Sequence, residues 1–315
     1  MAMQTISPDR FEMIIVDDGS TDATVDIIKD KQNRLNLNIK CLEQENSGPG
    51  AARNCGIEAA SGELLTFIDS DCEADPRWLE TIASAFQNER FDAFGGPDAS
   101  RDGFSLMQRA IDFSMTSFLT TGGFRGHSAR PLAKFYPRSH NMGMTHALYD
   151  QVGGFGSLRH GQDIELSNRI HQSGAKVVNL KEAVVYHRRR TSLFRFFRQV
   201  FNWGVARINL GKIDRSMLEP LHFAPAIVTV TALVITVGFL IDPIEYGSFF
   251  ELGLGFLMFV SGVGAWKLKS PKAFFVLLVV IPVQLFGYGT GFILAYTRRF
   301  IFGRDEWTGF RKRYY

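Results

Sequence analysis

From His222 to Ile241 the chain runs 20 residues, HFAPAIVTVTALVITVGFLI, without one formal charge. At a rise of about 1.5 Å per residue a helix of that length reaches about 30 Å, the thickness of a hydrocarbon core. The competing reading is a helix buried in a large soluble core, but such helices rarely run this far uncharged. The run is not isolated. Residues 222–297 hold six charged side chains (Asp242, Glu245, Glu251, Lys267, Lys269 and Lys272), whereas residues 1–221 hold 53. The averages of this 315-residue chain, 45% hydrophobic with net charge +3, therefore blend a soluble-type domain with a membrane-type tail. They exclude a disordered tail protein, a collagen-like fibre and a small disulfide scaffold. Cys41, Cys55 and Cys72 lack metal-ligand spacing and read as reduced thiols.

Three hydrophobic segments are expected, over 222–241, 249–266 and 273–296, with Glu251 interrupting the second near its start. The third contains Pro282 and the string Gly287-Tyr288-Gly289-Thr290-Gly291. MAMQTISPDR has no apolar signal-peptide core, which keeps the first domain cytoplasmic. The loop 242–248 has no Lys or Arg and reads as outside, while Lys267, Lys269 and Lys272 fit a cytoplasmic loop. The tail 298–315, with Arg298, Arg299, Arg304, Arg311, Lys312 and Arg313, also asks for the cytoplasm, yet three full crossings would place it outside. Either the third segment is broken and re-entrant around Pro282 and the glycines, or the charge rule fails for this tail.

Residues 191–221 read as an amphipathic interfacial segment. Leu193, Phe196, Phe197, Val200, Phe201 and Ile208 recur at helical spacing, with Arg195, Arg198 and Arg207 among them. Seventeen of the 28 phenylalanines fall after residue 193. Eight Arg or Lys against one Asp between Arg188 and Arg215 suit an anionic leaflet better than nucleic acid. The plainer alternative is a helix packed on the soluble domain.

Residues 11–90 alternate strand and helix: a strand at 11–16, a helix at 23–31 capped by Thr21 or Asp22, and a strand at 39–44. A helix at 51–60 opened by Gly48-Pro49-Gly50, a strand at 64–69, and a helix through Phe86 with Asp75 as cap and Pro76 at its first position complete the pattern. Alternation of this kind predicts an α/β fold with a mostly parallel sheet, whose ligands bind beyond the carboxyl ends of the strands. Asp17-Asp18 and Asp69-Ser70-Asp71 fall at such ends. Two carboxylates at i and i+2 past a strand can share a hard divalent cation that neutralises a departing diphosphate. An isolated Asp-x-Asp is more often a turn; after LLTFI and before a capped helix it gains weight. Asp17-Asp18-Gly19-Ser20 is either a polar turn or a carboxylate that accepts from the ring N–H of a uracil-like base.

Taken together, IIVDDGSTDAT, NSGPGAARNCGIEAASGELLTFIDSDC and GGF followed by GQDIELSNRI resemble a family 2 glycosyltransferase of the GT-A fold, over roughly residues 11–190. The ordered spacing of the motifs is far more specific than any one of them. The resemblance implies a nucleotide-sugar donor (a UDP-sugar), Mg²⁺ or Mn²⁺, and inversion at the anomeric carbon. It assigns nucleotide-sugar binding to Asp17, Asp18, Arg53, Asn54 and Asp69, and metal binding to Asp69, Asp71 and His187. Asp163 takes the role of catalytic base, with Glu165 as fallback and an N-cap of a helix over 164–172 as its structural alternative. His140-Asn141-Met142-Gly143 resembles a segment lining the acceptor side. Arg198-Gln199 and Trp203 differ in order and spacing from the processive synthases' segment, so processivity is not expected. The family's first strand, turn and helix have no counterpart ahead of Phe11.

The domain expectation is a GT-A domain over 1–190 lacking its first βα unit, the interfacial segment 191–221, a membrane region 222–297 and a basic tail 298–315. The functional expectation is transfer to a lipid-linked or polysaccharide acceptor at the cytoplasmic face of the inner membrane, a layout similar to bacterial exopolysaccharide (succinoglycan-type) transferases. Transfer onto bare polyprenyl phosphate is the near alternative, and a truncated, non-catalytic nucleotide-sugar-binding subunit is the alternative of another class. A small transporter is poorly supported, since Glu251 is almost the only charge a conduction path would have.

Overall fold

The computed structural model describes residues 1–99, 103–121, 135–187 and 192–310, the side chain of His187 excepted. Arg188, Arg189 and Arg190 of the basic stretch and Arg311, Lys312 and Arg313 of the tail lie outside the described residues. The chain divides into two compact units, one from Met1–Ala99 and Tyr136–Arg188, the other from Ser100–Phe135 and Arg189–Lys312.

The first unit is α/β. Strand β1 (Met13–Asp17) leads to α1 (Thr24–Arg34), β2 (Ile39–Glu43), α2 (Pro49–Glu58), β3 (Leu64–Phe67), β4 (Cys72–Ala74), α3 (Trp78–Glu89), β5 (Ala93–Gly95) and β6 (Asp98–Ala99). After the excursion through α4 (Leu106–Thr116) and α5 (Phe118–Thr121) of the second unit come β7 (Met142–Thr145), α6 (His146–Val152), α7 (Gln162–Gln172), β8 (Val177–Asn179) and β9 (Val185–His187). β1 and β2 pair in parallel, with Met13 opposite Ile39. A four-stranded sheet runs β3-β7-β5-β8, antiparallel except for β5–β8, and a three-stranded sheet runs β4-β9-β6. The core lies on both faces of the larger sheet. Ile57, Leu65, Met142, Met144, Leu166 and Ile170 form one cluster, and Trp78, Ile82, Phe91, Phe94 and Val185 form the other.

Several helix starts differ from expectation. Helix α1 begins one residue late, after Ala23, with Asp22 bonding the Thr24 N–H from outside the helix. Asp75 and Pro76 do not open α3. The Asp75 carboxylate accepts from Arg77 N and its carbonyl from Trp78 N, closing a turn that delays the helix to Trp78. Helix α7 starts at Gln162 behind Gly161, so Asp163 sits in the first turn and does not cap it.

The second unit continues with α8 (Leu193–Ile213), α9 (Ala224–Ile241), α10 (Pro243–Lys267) and α11 (Pro271–Tyr296), which runs into a π-turn at Thr297–Ile301. Three stretches, Pro220–Ile241, Pro243–Lys267 and Pro271–Ile301, are long and apolar enough to cross a membrane. Helix α10 is longer than expected. Asp242 accepts from Ile244 N and Glu245 N, Pro243 occupies the first helical position, and Glu245 stands where the helix dipole favours an acid. Helix α11 is continuous, so of the two readings of the third segment the one with a break at Pro282 and the glycines does not hold. Those glycines serve close packing: a Cβ on Gly287 would meet Val200 at 2.6 Å, and one on Gly291 would collide with the Phe201 carbonyl. The face of α8 expected to point at lipid is covered instead, with Phe196, Val200, Phe201 and Ile208 buried in clusters shared with α11. We expect Gly291→Leu to destabilise this pair by about 3 kcal/mol, since backbone must move to admit it; thermal unfolding in detergent measures the loss.

Residues 303–310 fold back onto α8. Asn202 bonds both the Phe310 N–H and carbonyl (each 2.9 Å), and Asn209 donates to the Trp307 carbonyl at 2.9 Å. The rings of Phe201, Trp307 and Phe310 pack edge to face around these bonds.

Candidate active site

Helix α2 is the hub of the site. Gly48, at φ +90°, turns the chain into it, and Pro49 takes the first position. The turn is pinned from β1, because the Asp18 carboxylate accepts from Gly48 N (2.8 Å), Ser47 N (2.8 Å) and Gln44 Nε2 (2.7 Å). Asp17, buried at the end of β1, accepts from Ser20 N at 2.9 Å and from the Ser20 hydroxyl. One turn into α2, Arg53 donates to Asp69 Oδ1 at 2.6 Å and stacks over the Phe155 ring. Its neighbour Asn54 grips the Phe155 backbone from both sides, accepting from N at 2.8 Å and donating to O at 2.9 Å. That clamp fixes the Gly153–Phe155 loop, sequence-distant from α2, and Gln162 at the start of α7 lies against Gly50.

Asp163 is 20% exposed and lies 3.7 Å from the Arg138 guanidinium. Burial pushes its carboxyl up, but Arg138, His140 and Arg53, with the Ile164 N–H, outweigh that and hold it below the ordinary aspartate value. The same Arg53 that pairs with Asp69 thus also acts on Asp163, so Arg53, Asp69 and Asp163 share one site. Glu165, the fallback, is committed elsewhere. It pairs with Arg169 through both oxygens (2.7 and 2.9 Å), and Arg169 also holds the carbonyls of Val152 and Gly154. Asn141 is not a surface group on the acceptor side. It is fully buried, accepts from the Trp78 indole at 2.9 Å and donates to the carbonyls of Ala183 (2.7 Å) and Pro97 (2.9 Å).

Asp69 and Asp71 flank the turn between β3 and β4, with Asp71 exposed. The β4–β9 register sets His187 opposite Cys72, next to Asp71, while its side chain lies outside the described residues. The Cys72 thiol is pushed up to about 12 by burial, with Asp69, Asp71 and Asp98 adding to the shift. Those three carboxylates make this corner of the site negative, which suits a cation. Among the described residues no three His, Cys, Asp or Glu converge to cage one. Two carboxylates still fit Mg²⁺ or Mn²⁺, because such ions complete their shell with substrate phosphates and water. Arg138 and Asp98 were missed at the sequence level, since neither stands in a motif and each reaches the site only through the fold.

Residues 2–153 match the family model for glycosyl transferase family 2. Glycosyltransferase AglE of Haloferax volcanii is 29% identical over 249 residues, 78% of this chain and 76% of that protein. Glycosyltransferase EpsH of Bacillus subtilis is 31% identical over 210 residues, 63% of this chain and 58% of that protein, so the chain spans less than two thirds of this second relative. The solved mannosyltransferase PcManGT of Pyrobaculum calidifontis, in complex with GDP-Man and Mn²⁺, shares the fold with a TM-score of 0.61 at 17% identity, over 90% of this chain and 80% of that one. The fold class is GT-A, with three apolar C-terminal helices, and residues 2–153 carry the similarity to glycosyl transferase family 2.

Proposed function

We propose that the chain is an inverting glycosyltransferase that moves a sugar from a nucleotide-sugar donor, a UDP-sugar, to a hydroxyl of a lipid-linked or polysaccharide acceptor. The work takes place at the cytoplasmic face of the inner membrane, in exopolysaccharide assembly. The observation that carries this reading is Asp163, a half-buried carboxylate kept ionised by Arg138, His140 and Arg53 in the same site as Asp69. In the proposed step Asp163 takes the acceptor hydroxyl's proton as that oxygen attacks the anomeric carbon. The bond from that carbon to the diphosphate breaks, its electron pair leaves on the diphosphate, and configuration inverts. Asp17 and Asp18 shape the base pocket, Asn54 positions the neighbouring loop, and Arg53 orients Asp69 toward the donor. Asp69 and Asp71, with His187, would hold Mg²⁺ or Mn²⁺, which supplies neutralisation of the diphosphate's charge when bound.

A hydroxyl acceptor is favoured over bare polyprenyl phosphate on chemical grounds. A phosphate oxygen is already deprotonated near neutral pH and has no need of a base. Membranes containing the full chain, given a panel of labelled nucleotide sugars, should transfer label to a hydroxyl-bearing lipid-linked acceptor with the anomeric configuration inverted. Retention of configuration, or no transfer with any donor, overturns the reading. Arg53→Met removes the guanidinium that Asp69 and Asp163 share. We expect donor affinity to fall about tenfold, the loss of a charged hydrogen bond, as read by calorimetric titration of UDP-sugar with and without Mn²⁺.

A further inference from the structure

Helix α11 has the composition of a third membrane crossing, yet its packing within the second unit is that of a helix lying across the foot of a hairpin. Helices α9 and α10 form the hairpin, with Phe239 stacked on Phe250 at 4.6 Å and Gly238 against the Tyr246 ring beside the Asp242 tip. Their only buried residues stand at the opposite end: Ala226 in the first turn of α9, and Val260, Ser261 and Gly264 toward the end of α10. Helix α11 starts at that end, where Leu277 packs on Gly264 and Val260. It also finishes there. Gly289 lies against Pro225 and Thr229, Phe292 against Phe223 at 4.9 Å, and Ala295 in one cluster with Ala226. A third antiparallel crossing would have carried residues 289–296 up to the tip, beside Tyr246.

Three further observations agree. Helix α8 runs alongside α11, with Val200 on Gly287, Phe201 on Gly291, and Val205 and Ile208 in the cluster of Phe292 and Ala295. A crossing α11 would drag α8 with it, and Arg198 and Arg207 would enter hydrocarbon, where charged side chains are costly. Both ends of α11 carry headgroup-level anchors: exposed Trp266 with Lys267, Lys269 and Lys272 at one, and Tyr296, Arg298 and Arg299 at the other. Finally, α11 keeps one open apolar stripe, Phe275, Val279 and Phe286, along the edge that α4 and α8 do not cover.

We propose that only α9 and α10 cross the bilayer. Helix α11 lies at the boundary of headgroups and hydrocarbon beside α8, its open stripe facing the acyl chains. The 268–270 loop and the strap 303–310 then share the cytoplasmic side, and the tip at Asp242 is on the other. At about 1.5 Å per residue, the 18 residues of α9 give about 27 Å, enough for such a crossing.

The test uses the full chain in sealed inside-out vesicles, with Cys41, Cys55 and Cys72 changed to serine and one of Glu245→Cys, Ser270→Cys or Asp305→Cys added. A membrane-impermeant maleimide should label the Ser270→Cys and Asp305→Cys proteins directly, and the Glu245→Cys protein only after permeabilisation. Labelling of Asp305→Cys in the pattern of Glu245→Cys means three crossings and overturns the proposal; direct labelling of all three means no crossing and overturns it too. A reporter active only in the cytoplasm, fused to the C-terminus of the unsubstituted chain, reads the side of the tail independently of any substitution. It should be active, and an inactive but stably inserted fusion is the contrary result.

Discussion

Asp163→Asn should lower sugar transfer to a hydroxyl acceptor by about 10²- to 10⁴-fold while UDP-sugar binding stays near its starting value. The amide keeps the size of the carboxylate and its place in the first turn of α7, so the pocket remains formed. What disappears is the acceptor of the proton. Single-turnover rates beside donor titrations separate the two effects, and near-normal turnover would sink the base assignment. A transferase acting on a phosphate acceptor would tolerate the change, which makes this variant a test of acceptor chemistry as well. Burial opposes ionisation here, but Arg138, His140 and Arg53 prevail, so the active form persists as pH falls and the acid limb of the rate profile lies below the ordinary aspartate range. The same depressed value means that the pairing contributes stability at neutral pH and loses it as pH drops through the folded-state pKa. Glu165→Gln is the matching control. It weakens the Arg169 clamp and lowers stability, with the rate per folded molecule little changed.

Asn141→Leu should cost about 3–5 kcal/mol, a large share of the 5–15 kcal/mol that holds a typical domain together. Leucine keeps the branching and heavy-atom count of asparagine, so the change chiefly removes the polar atoms. The Trp78 indole N–H loses its acceptor, and the carbonyls of Pro97 and Ala183 lose their donor, all in a site closed to water. Asn141→Asp fares no better, because it turns a second lone-pair atom toward two carbonyls. Denaturant titration of the folded protein gives the number. A loss under about 1 kcal/mol, the worth of one ordinary hydrogen bond, would mean that water reaches the site and replaces the amide.

Much of the first unit was legible because its signals are local. Gly48-Pro49 announces α2, and the acidic turns after β1 and β3 mark the carboxyl ends of strands. Glu165 could have been ruled out from the chain alone, since Arg169 stands four residues on along a helix, the spacing of an ion pair. The start of α10 was also written in Asp242-Pro243, a cap followed by a proline. Arg138 and Asn141 carried no such mark. One looks like a loop arginine, the other like part of an acceptor-lining motif, and only non-local contacts give them their roles. In the second unit the Gly287–Gly291 string left a break in the third segment open as one of two readings, because glycine weakens an isolated helix. Between packed helices the same residues permit close approach, and their four-residue spacing marks one face.

The bond pair from Asn54 to Phe155 bears on alignment tolerance. Arg53 approaches from α2, and Asp163 arrives from a stretch more than a hundred positions later, yet a two-point rivet ties α2 to the loop that feeds into α7. In the proposed reaction, donor-side and acceptor-side groups would therefore keep station as one rigid jig, not as two parts that must find each other at each turnover. Misplacement by about 1 Å can cost a hundredfold in rate. Loosening this rivet should thus show as poor coordination between two sound half-sites, with each substrate still bound and the pair seldom in line.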